Sequence, residues 1–339
     1  MTRGSHVCSV AFLMLVSSAL VPPALAQTRP TAFFSVPGSH ASAHFGGAVS
    51  EAGDVNKDGY QDFLIGAPDD QSQGLCAVHS GKNGTLIFGL TSGSPGDHFG
   101  AAAALIGDVD GDGYDDFLVG APQSGTSGTG LMIAFSGKTG GALFKVTGDQ
   151  KQDEFGFAVA GVGDVNGDGI PDLAAGAPHT AGGSAGYLRV FSGKNGATIY
   201  TVKGASIDDE LGFAVRSVGS VDGDACPDFA VGAPGDSGDR GTALLCSGCT
   251  GMTITTLAGA AAGDRFGASV SGAGDLDHDG ADDVLIGVPG DDTGFANAGS
   301  ATLFSSKSGL PLCTLHGEKQ GSLLGTSVSG RCDVDSDGT

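Results

Sequence analysis

The chain has no tryptophan and only four tyrosines in 339 residues, so the ring platforms on which sugar-binding surfaces are usually built are scarce. Basic residues are few as well: 16 Lys and Arg stand against 38 Asp and Glu, a formal charge of −22. Such a chain repels nucleic-acid phosphates and anionic lipid head groups alike, which excludes nucleic acid as a partner and favours cations. A long apolar run is missing everywhere but at the N-terminus. There Arg3 and His6 precede VCSVAFLMLVSSALV, followed by Ala24-Leu25-Ala26, with small residues on either side of Leu25. The run is short for a membrane span and ends in a small-x-small site, so residues 1–26 read as a secretory signal peptide removed before Gln27. The mature chain, 27–339, is expected to have no transmembrane segment and to work secreted, in a periplasm or at a cell surface.

Zinc and catalytic signatures are lacking too. CSGC, from Cys246 to Cys249, has no second CxxC or HxxxH to complete a zinc site. In an exported chain Cys76, Cys226, Cys246, Cys249, Cys313 and Cys332 are expected to be structural, paired or buried, with the pairing left open by their spacing. The eight histidines form no HExxH, and His79 falls at a strand position held elsewhere by Phe135, Phe191 and Phe304, which makes it a core residue. GGSAG, ending at Gly186, fits GxSxG, but no strand, turn and helix surround Ser184 to expose it as a nucleophile. GKT at Gly137 has Met132 where a phosphate-binding loop needs its first glycine. No catalytic residue is assigned.

Glycine, by contrast, is abundant, at 62 residues, which disfavours long helices and suits a chain of tight turns. The glycines fall into a repeat. Phe-Gly recurs at Phe45, Phe99, Phe155 and Phe266, with Leu-Gly at Leu211 and Leu324, at spacings of 54, 56, 56, 55 and 58 residues. Nine residues after each start comes an acidic loop: DVNKDGYQD at Asp54, DVDGDGYDD at Asp108, DVNGDGIPD at Asp164, SVDGDACPD at Ser220, DLDHDGADD at Asp275 and a cut-off DVDSDGT at Asp333. Gly-Ala-Pro, or Gly-Val-Pro in the fifth repeat, follows every complete loop.

Each repeat reads as four short strands. FGAAAALIG leads into the acidic loop and DFLVGAP leaves it; a variable loop precedes an alternating segment such as LMIAF, and an SGKTG-type turn leads to a last strand such as ALFKVTG. One four-stranded sheet cannot bury both faces alone, whereas sheets packed around an axis can. The fold class is therefore all-β, a β-propeller of four-stranded antiparallel blades with five complete repeats and a truncated sixth.

The coupled Phe-Gly, acidic loop and Gly-Ala-Pro resemble the FG-GAP repeat of integrin α-subunit N-terminal propellers, also found in many secreted bacterial proteins. The resemblance runs from about Thr31 to the end. It implies a ring seven-bladed in full, and the C-terminus, stopping inside a loop at Thr339, is expected to be incomplete. AFFSVPGSHASAHFG near the N-terminus aligns with LIFGLTSGSPGDHFG and has the look of a last strand whose first three are missing.

The acidic loops carry oxygen at the positions a calcium ion wraps: side chains at one, three, five and nine, and a carbonyl at seven, with glycine at six for the sharp turn. In the first loop these are Asp54, Asn56, Asp58, the Tyr60 carbonyl and Asp62. In the second they are Asp108, Asp110, Asp112, Tyr114 and Asp116; in the third, Asp164, Asn166, Asp168, Ile170 and Asp172. The fourth offers Ser220, Asp222, Asp224, Cys226 and Asp228; the fifth, Asp275, Asp277, Asp279, Ala281 and Asp283. The sixth stops after Asp333, Asp335 and Asp337. An EF-hand would close with Glu at position twelve and lie between helices; here position twelve of the second loop is Val119, already in a strand. The sites resemble the β-hairpin calcium loops of FG-GAP propellers, and Ca2+ is the expected cofactor. The fourth loop, with Ser220 at position one and Ala225 in place of the turn glycine, should bind most weakly.

The expected function is a calcium-stabilised exported scaffold whose variable loops, on the face opposite the acidic hairpins, bind a protein or cell-surface ligand, as the adhesion role of integrin α heads implies. A carbohydrate-binding propeller is one alternative. The other is the non-catalytic propeller part of a secreted hydrolase, since a phospholipase D specific for phosphatidylinositol-glycans also carries FG-GAP repeats.

Overall fold

The computed structural model describes residues 34–330 apart from 39, 41, 124–127 and 179–182. The signal-peptide segment, Cys332 and the sixth acidic loop lie outside the described residues. Twenty strands form five sheets. The first holds β1 (Ala48–Gly53), β2 (Asp62–Ala67), β3 (Leu75–His79) and β4 (Leu86–Leu90); the second, β5 (Ala102–Gly107), β6 (Asp116–Ala121), β7 (Leu131–Phe135) and β8 (Ala142–Thr147). The third holds β9 (Ala158–Gly163), β10 (Asp172–Ala177), β11 (Tyr187–Phe191) and β12 (Thr198–Lys203); the fourth, β13 (Ala214–Gly219), β14 (Asp228–Ala233), β15 (Thr242–Cys246) and β16 (Thr253–Ala258). β17 (Ser269–Gly274), β18 (Asp283–Val288), β19 (Ser300–Phe304) and β20 (Pro311–His316) make the fifth. Every sheet is antiparallel with its strands in chain order.

The second strand of each blade explains why an acidic loop turns abruptly apolar. DFLVGA in β6 is buried at every residue, because both faces of that strand meet neighbouring blades. The first strands β1, β5, β9, β13 and β17 lie side by side in that order. Between adjacent blades sit four apolar clusters, one for each junction: Leu64 with Phe117, Leu118 with Leu173, Leu188 with Phe229, and Leu245 with Val284. The core is therefore distributed between sheets. Five blades stand as one array of packed layers.

Phe-Gly and Gly-Ala-Pro turn out to be the hardware of those junctions. The Phe-Gly pairs precede the first strands instead of belonging to them. Phe99 bridges back to Gly74 of the preceding blade, as Phe155 does to Gly130 and Leu211 to Gly186. The next glycine, Gly156, donates its N–H to the Gly176 carbonyl of its own blade at 2.9 Å. Its own carbonyl faces Gly120 of the blade before so closely that a Cβ on Gly120 would lie 2.0 Å from it. Only glycine fits there. The residue before each Phe-Gly or Leu-Gly, from His44 to Leu323, has a positive φ of 51–58°.

Phe34 completes the pattern at the N-terminal side. Its ring lies against Gly84, where the rings of Phe88 and Phe144 lie against Gly140 and Gly196 in later blades, and it stacks on Phe63 at 5.8 Å. His79 is buried, stacked on Phe63 at 5.9 Å with Nδ1 3.0 Å from the Gly84 carbonyl, so it is a core residue as its position suggests. Among the described residues no helix is long and apolar enough to cross a membrane.

Candidate functional site

Each described acidic loop is the hairpin between the first and second strands of a blade, and in the first four blades its second residue fixes it, whereas Leu276 of the fifth is exposed. Val55, Val109, Val165 and Val221 are buried in the inter-blade clusters. The ninth residue fixes it from the other side. Asp116 is fully buried and accepts the N–H of Val109 at 2.9 Å, of Asp110 at 3.3 Å and of Gly137, in the turn between β7 and β8, at 2.9 Å. Asp172 and Asp228 repeat the arrangement with Val165 and Gly193, and with Val221 and Gly248. Asp62 does so with Val55 and Gly81. This aspartate thus ties the two hairpins at one end of the first four blades, while in the fifth Asp283 accepts the Leu276 and Asp277 N–H groups of its own loop.

Positions one, three and five turn their oxygens into the loop. Asp108 accepts N–H groups from Gly111, Asp112 and Gly113 at 2.8, 3.1 and 2.8 Å. Asp110 accepts from Asp112 at 3.0 Å, and Asp112 from Tyr114 at 3.0 Å. Residue seven donates its N–H to residue five in all the other described loops too: Tyr60 to Asp58, Ile170 to Asp168, Cys226 to Asp224 and Ala281 to Asp279. Asp54, Asp164 and Asp275 occupy position one as Asp108 does.

The carboxylates converge to different degrees. In the second loop oxygens of Asp108, Asp110 and Asp116 lie within 4.8 Å of one another; Asp222, Asp224 and Asp228 do the same in the fourth, and Asp275, Asp277 and Asp279 in the fifth. The first and third loops have Asn56 and Asn166 at position three, whose amides donate to Asp62 and Asp172 and whose oxygens accept from Asp58 and Asp168. In the fourth loop Ser220 supplies no carboxylate, and its N–H points at Asp282 of the next blade, 3.3 Å away.

Burial pushes the Asp116 carboxyl up to about 6, the N–H groups of Gly137 and Val109 pulling the other way. Asp62, Asp172, Asp228 and Asp283 are raised for the same first reason, desolvation. Asp283 differs in its surroundings: Ser306 replaces the turn glycine, and the buried Oδ1 has no hydrogen-bond partner, while the like charge of Asp277 adds to desolvation in raising the carboxyl. A donor set made only of oxygen, with a buried carboxylate short of a partner, fits a hard divalent cation.

Two groups of residues carry roles that spacing did not suggest. Asp153, Asp209 and Asp264, two residues before each Phe-Gly or Leu-Gly, are buried and accept backbone N–H groups three residues upstream, at 2.8, 2.6 and 2.8 Å. Their recurrence was visible in QDEFG, DDELG and GDRFG. Tyr187 and Tyr200, the tyrosines outside the loops, spend their hydroxyls on Asp153 Oδ2 and the Gly248 carbonyl; neither is a free platform for a sugar ring. Of the cysteines, Cys226 is bonded to Cys249, Cys76 and Cys246 are buried free thiols pushed up to about 12 by desolvation, and Cys313 is exposed.

Five antiparallel blades, each carrying an oxygen-lined hairpin at the same end, define a β-propeller repeat protein with candidate cation sites. The FG-GAP repeat model matches residues 45–79, 99–131, 155–191 and 266–304, and the chain is an integrin α-like FG-GAP β-propeller. The complete repeat left unmatched is the fourth, which begins with Leu-Gly and has lost the first aspartate. The chain is 32% identical to chicken integrin alpha-V over 209 residues, 56% of this chain and 20% of that protein. It is 35% identical to integrin alpha-PS2 of Drosophila melanogaster over 175 residues, 42% of this chain and 12% of that one. It thus spans a fifth or less of the length of these relatives. Among solved structures the Dos1 propeller matches at 12% identity and a TM-score of 0.47, over 75% of this chain and 54% of that one.

Proposed function

We propose that the protein is an exported propeller scaffold that holds calcium in its acidic hairpins and binds a protein or cell-surface ligand through the loops at the opposite end of the blades. One observation carries the metal half. In every described hairpin the fifth residue turns its oxygen into the loop and the ninth is a buried aspartate, tied to the neighbouring turn in the first four blades. Calcium would be held by Asp54, Asn56, Asp58 and Asp62, by Asp108, Asp110, Asp112 and Asp116, by Asp164, Asn166, Asp168 and Asp172, and by Asp275, Asp277, Asp279 and Asp283, with the carbonyls of Tyr60, Tyr114, Ile170 and Ala281. It supplies two positive charges where like charges crowd and a cross-link within each hairpin. Asp333, Asp335 and Asp337 belong to the same pattern.

The binding half rests on topology. Antiparallel order puts the loops between second and third strands, and those joining one blade to the next, at the end away from the acidic hairpins. These loops vary from blade to blade on a rigid frame, the arrangement that suits recognition. A cavity of about 520 Å³ between residues 206–210 and 235–239 is walled by Asp208, Asp209, Glu210, Asp236 and Asp239, which favours basic groups on the ligand. The role is binding and adhesion rather than catalysis, and it is exercised outside the cytoplasm after removal of residues 1–26.

Calorimetric titration of the mature chain with calcium, together with melting in calcium and in chelator, tests the reading. About four to six ions bound and a large rise in melting temperature are expected. Absence of calcium binding would overturn the site assignments and leave the hairpins as solvated turns.

A further inference from the structure

The fourth hairpin lacks what the others use to close. Ser220 stands at position one, so the N–H groups of Gly223, Asp224 and Ala225 have no counterpart of the Asp108 carboxylate that gathers Gly111, Asp112 and Gly113. Position six has a positive φ of 84–90° at Gly59, Gly113, Gly169 and Gly280, while Ala225 is not among the left-handed residues. Asp222, Asp224 and Asp228 still converge there, but the donor set lacks the carboxylate at position one that the other described loops have. Yet the hairpin keeps its frame: Asp228 accepts Val221 N–H at 2.7 Å and Gly248 N–H at 2.9 Å, and Asp224 accepts Cys226 N–H at 2.8 Å.

What closes it instead is the bond between Cys226 and Cys249. Cys226 is residue seven of the hairpin and Cys249 the third residue of the turn between β15 and β16. The same two positions face each other in the first and second blades as Tyr60 under Lys82 and Tyr114 under Lys138, each pair 5.3 Å apart. In the fifth blade Lys307 reaches the Asp279 carbonyl. Each of these contacts joins the acidic hairpin to the adjacent turn, and among them only that of the fourth blade is covalent. Cys226 Sγ also lies 3.5 Å from the Val165 carbonyl, in the acidic hairpin of the preceding blade.

We infer that the Cys226–Cys249 disulfide replaces the metal ion as the closure of the fourth hairpin, making that blade independent of calcium and sensitive to reductant, while the other described blades are the reverse. The inference deepens the calcium reading and rests on it for the contrast between blades. Cys249 is exposed, so a soluble reductant can reach the bond in the folded protein.

Hydrogen exchange followed by mass spectrometry on the oxidised chain tests it, comparing peptides over 220–228 with those over 108–116 and 275–283. Chelator should speed exchange in 108–116 and 275–283 by about tenfold or more and leave 220–228 unchanged. Reductant in the presence of calcium should do the opposite. Opening of 220–228 by chelator with the disulfide intact, or its indifference to reductant, would overturn the inference. If chelator opens none of the hairpins the calcium reading fails, and the reductant arm still decides whether the disulfide closes the fourth. Reduction and alkylation of the folded protein serve if Cys226→Ala with Cys249→Ala does not fold. Adding Ser220→Asp and Ala225→Gly to that double variant should restore protection of 220–228 only with calcium present.

Discussion

At the scale of single residues the acidic loops contain two kinds of aspartate that the same spacing rule treats alike. Asp116 is buried and holds three N–H groups; Asp110 is exposed and accepts from Asp112 alone. Asp116→Ala leaves those buried donors unsatisfied, so it should cost about 2–4 kcal/mol in urea unfolding with or without calcium. Asp110→Ala should cost well under 1 kcal/mol in chelator and substantially more in calcium, because the role proposed for it is to meet the ion. Equal losses for the two variants in chelator would contradict this division. Proton linkage gives a second expectation. Asp116, raised to about 6 from the ordinary 3.8 by burial, binds its proton more tightly folded than unfolded, so its contribution is greatest below pH 4 and is lost as pH rises through 6. Asp62, Asp172, Asp228 and Asp283 act in the same direction, against Asp69 and Asp291, which are lowered. The metal-free protein should therefore melt higher at pH 5 than at pH 7, and calcium, which needs the carboxylates ionised, should abolish or invert that difference. The positions proposed as ligands stand out in the sequence because the acidic residues recur at a fixed spacing. The clamp role of the ninth residue does not, because burial against a turn some twenty residues away leaves no local mark.

At the scale of elements the strands and their hairpins follow from alternation and turn residues, and β1 to β20 fall where the repeat places them. The meaning of Phe-Gly and Gly-Ala-Pro did not. Both look like features of a single strand, yet Phe99 bridges to Gly74 and Gly120 faces the Gly156 carbonyl, contacts that cross from blade to blade. A motif conditioned by a neighbouring sheet shows its period in sequence and hides its partner. Gly120→Ala makes the point testable: a Cβ 2.0 Å from a backbone carbonyl forces the second and third blades apart, which should cost about 2–3 kcal/mol and speed hydrogen exchange in β6 and β9 together. Gly111→Ala, at a position with open space around it and a positive φ of 77°, carries only the backbone penalty of about 1 kcal/mol. The pairing of Cys226 was equally hidden, since its partner lies across two hairpins at a sequence separation of 23, and the CSGC pair drew the eye to Cys246, which is buried and free.

At the scale of the whole molecule, acidic hairpins gather at one end of a chain with a formal charge of −22, while its apolar packing is divided among four junctions. No single junction is large, so cooperative folding requires that neighbouring blades hold one another in register, as in other repeat arrays. The hairpins take part in this: Lys57 of the first donates to the Gly113 carbonyl of the second and lies over the Tyr114 ring at 4.5 Å, and Asp282 of the fifth receives the Ser220 N–H of the fourth. Cations held in the hairpins as proposed would act on the junctions as well as on the loops, and their removal should lower the melting temperature of the whole array in one transition. Which cation matters follows from the ligands. A hairpin offering four side-chain oxygens and a carbonyl on a flexible turn suits calcium's irregular coordination; magnesium demands a near-octahedral shell at about 2.0–2.1 Å and gives up its water reluctantly. After chelation, micromolar to millimolar calcium should restore the melting temperature, equal magnesium should restore little of it, and sodium chloride should recover only the part due to repulsion among like charges. Full recovery with sodium chloride alone would mean that charge density, and not coordination, is what the hairpins require.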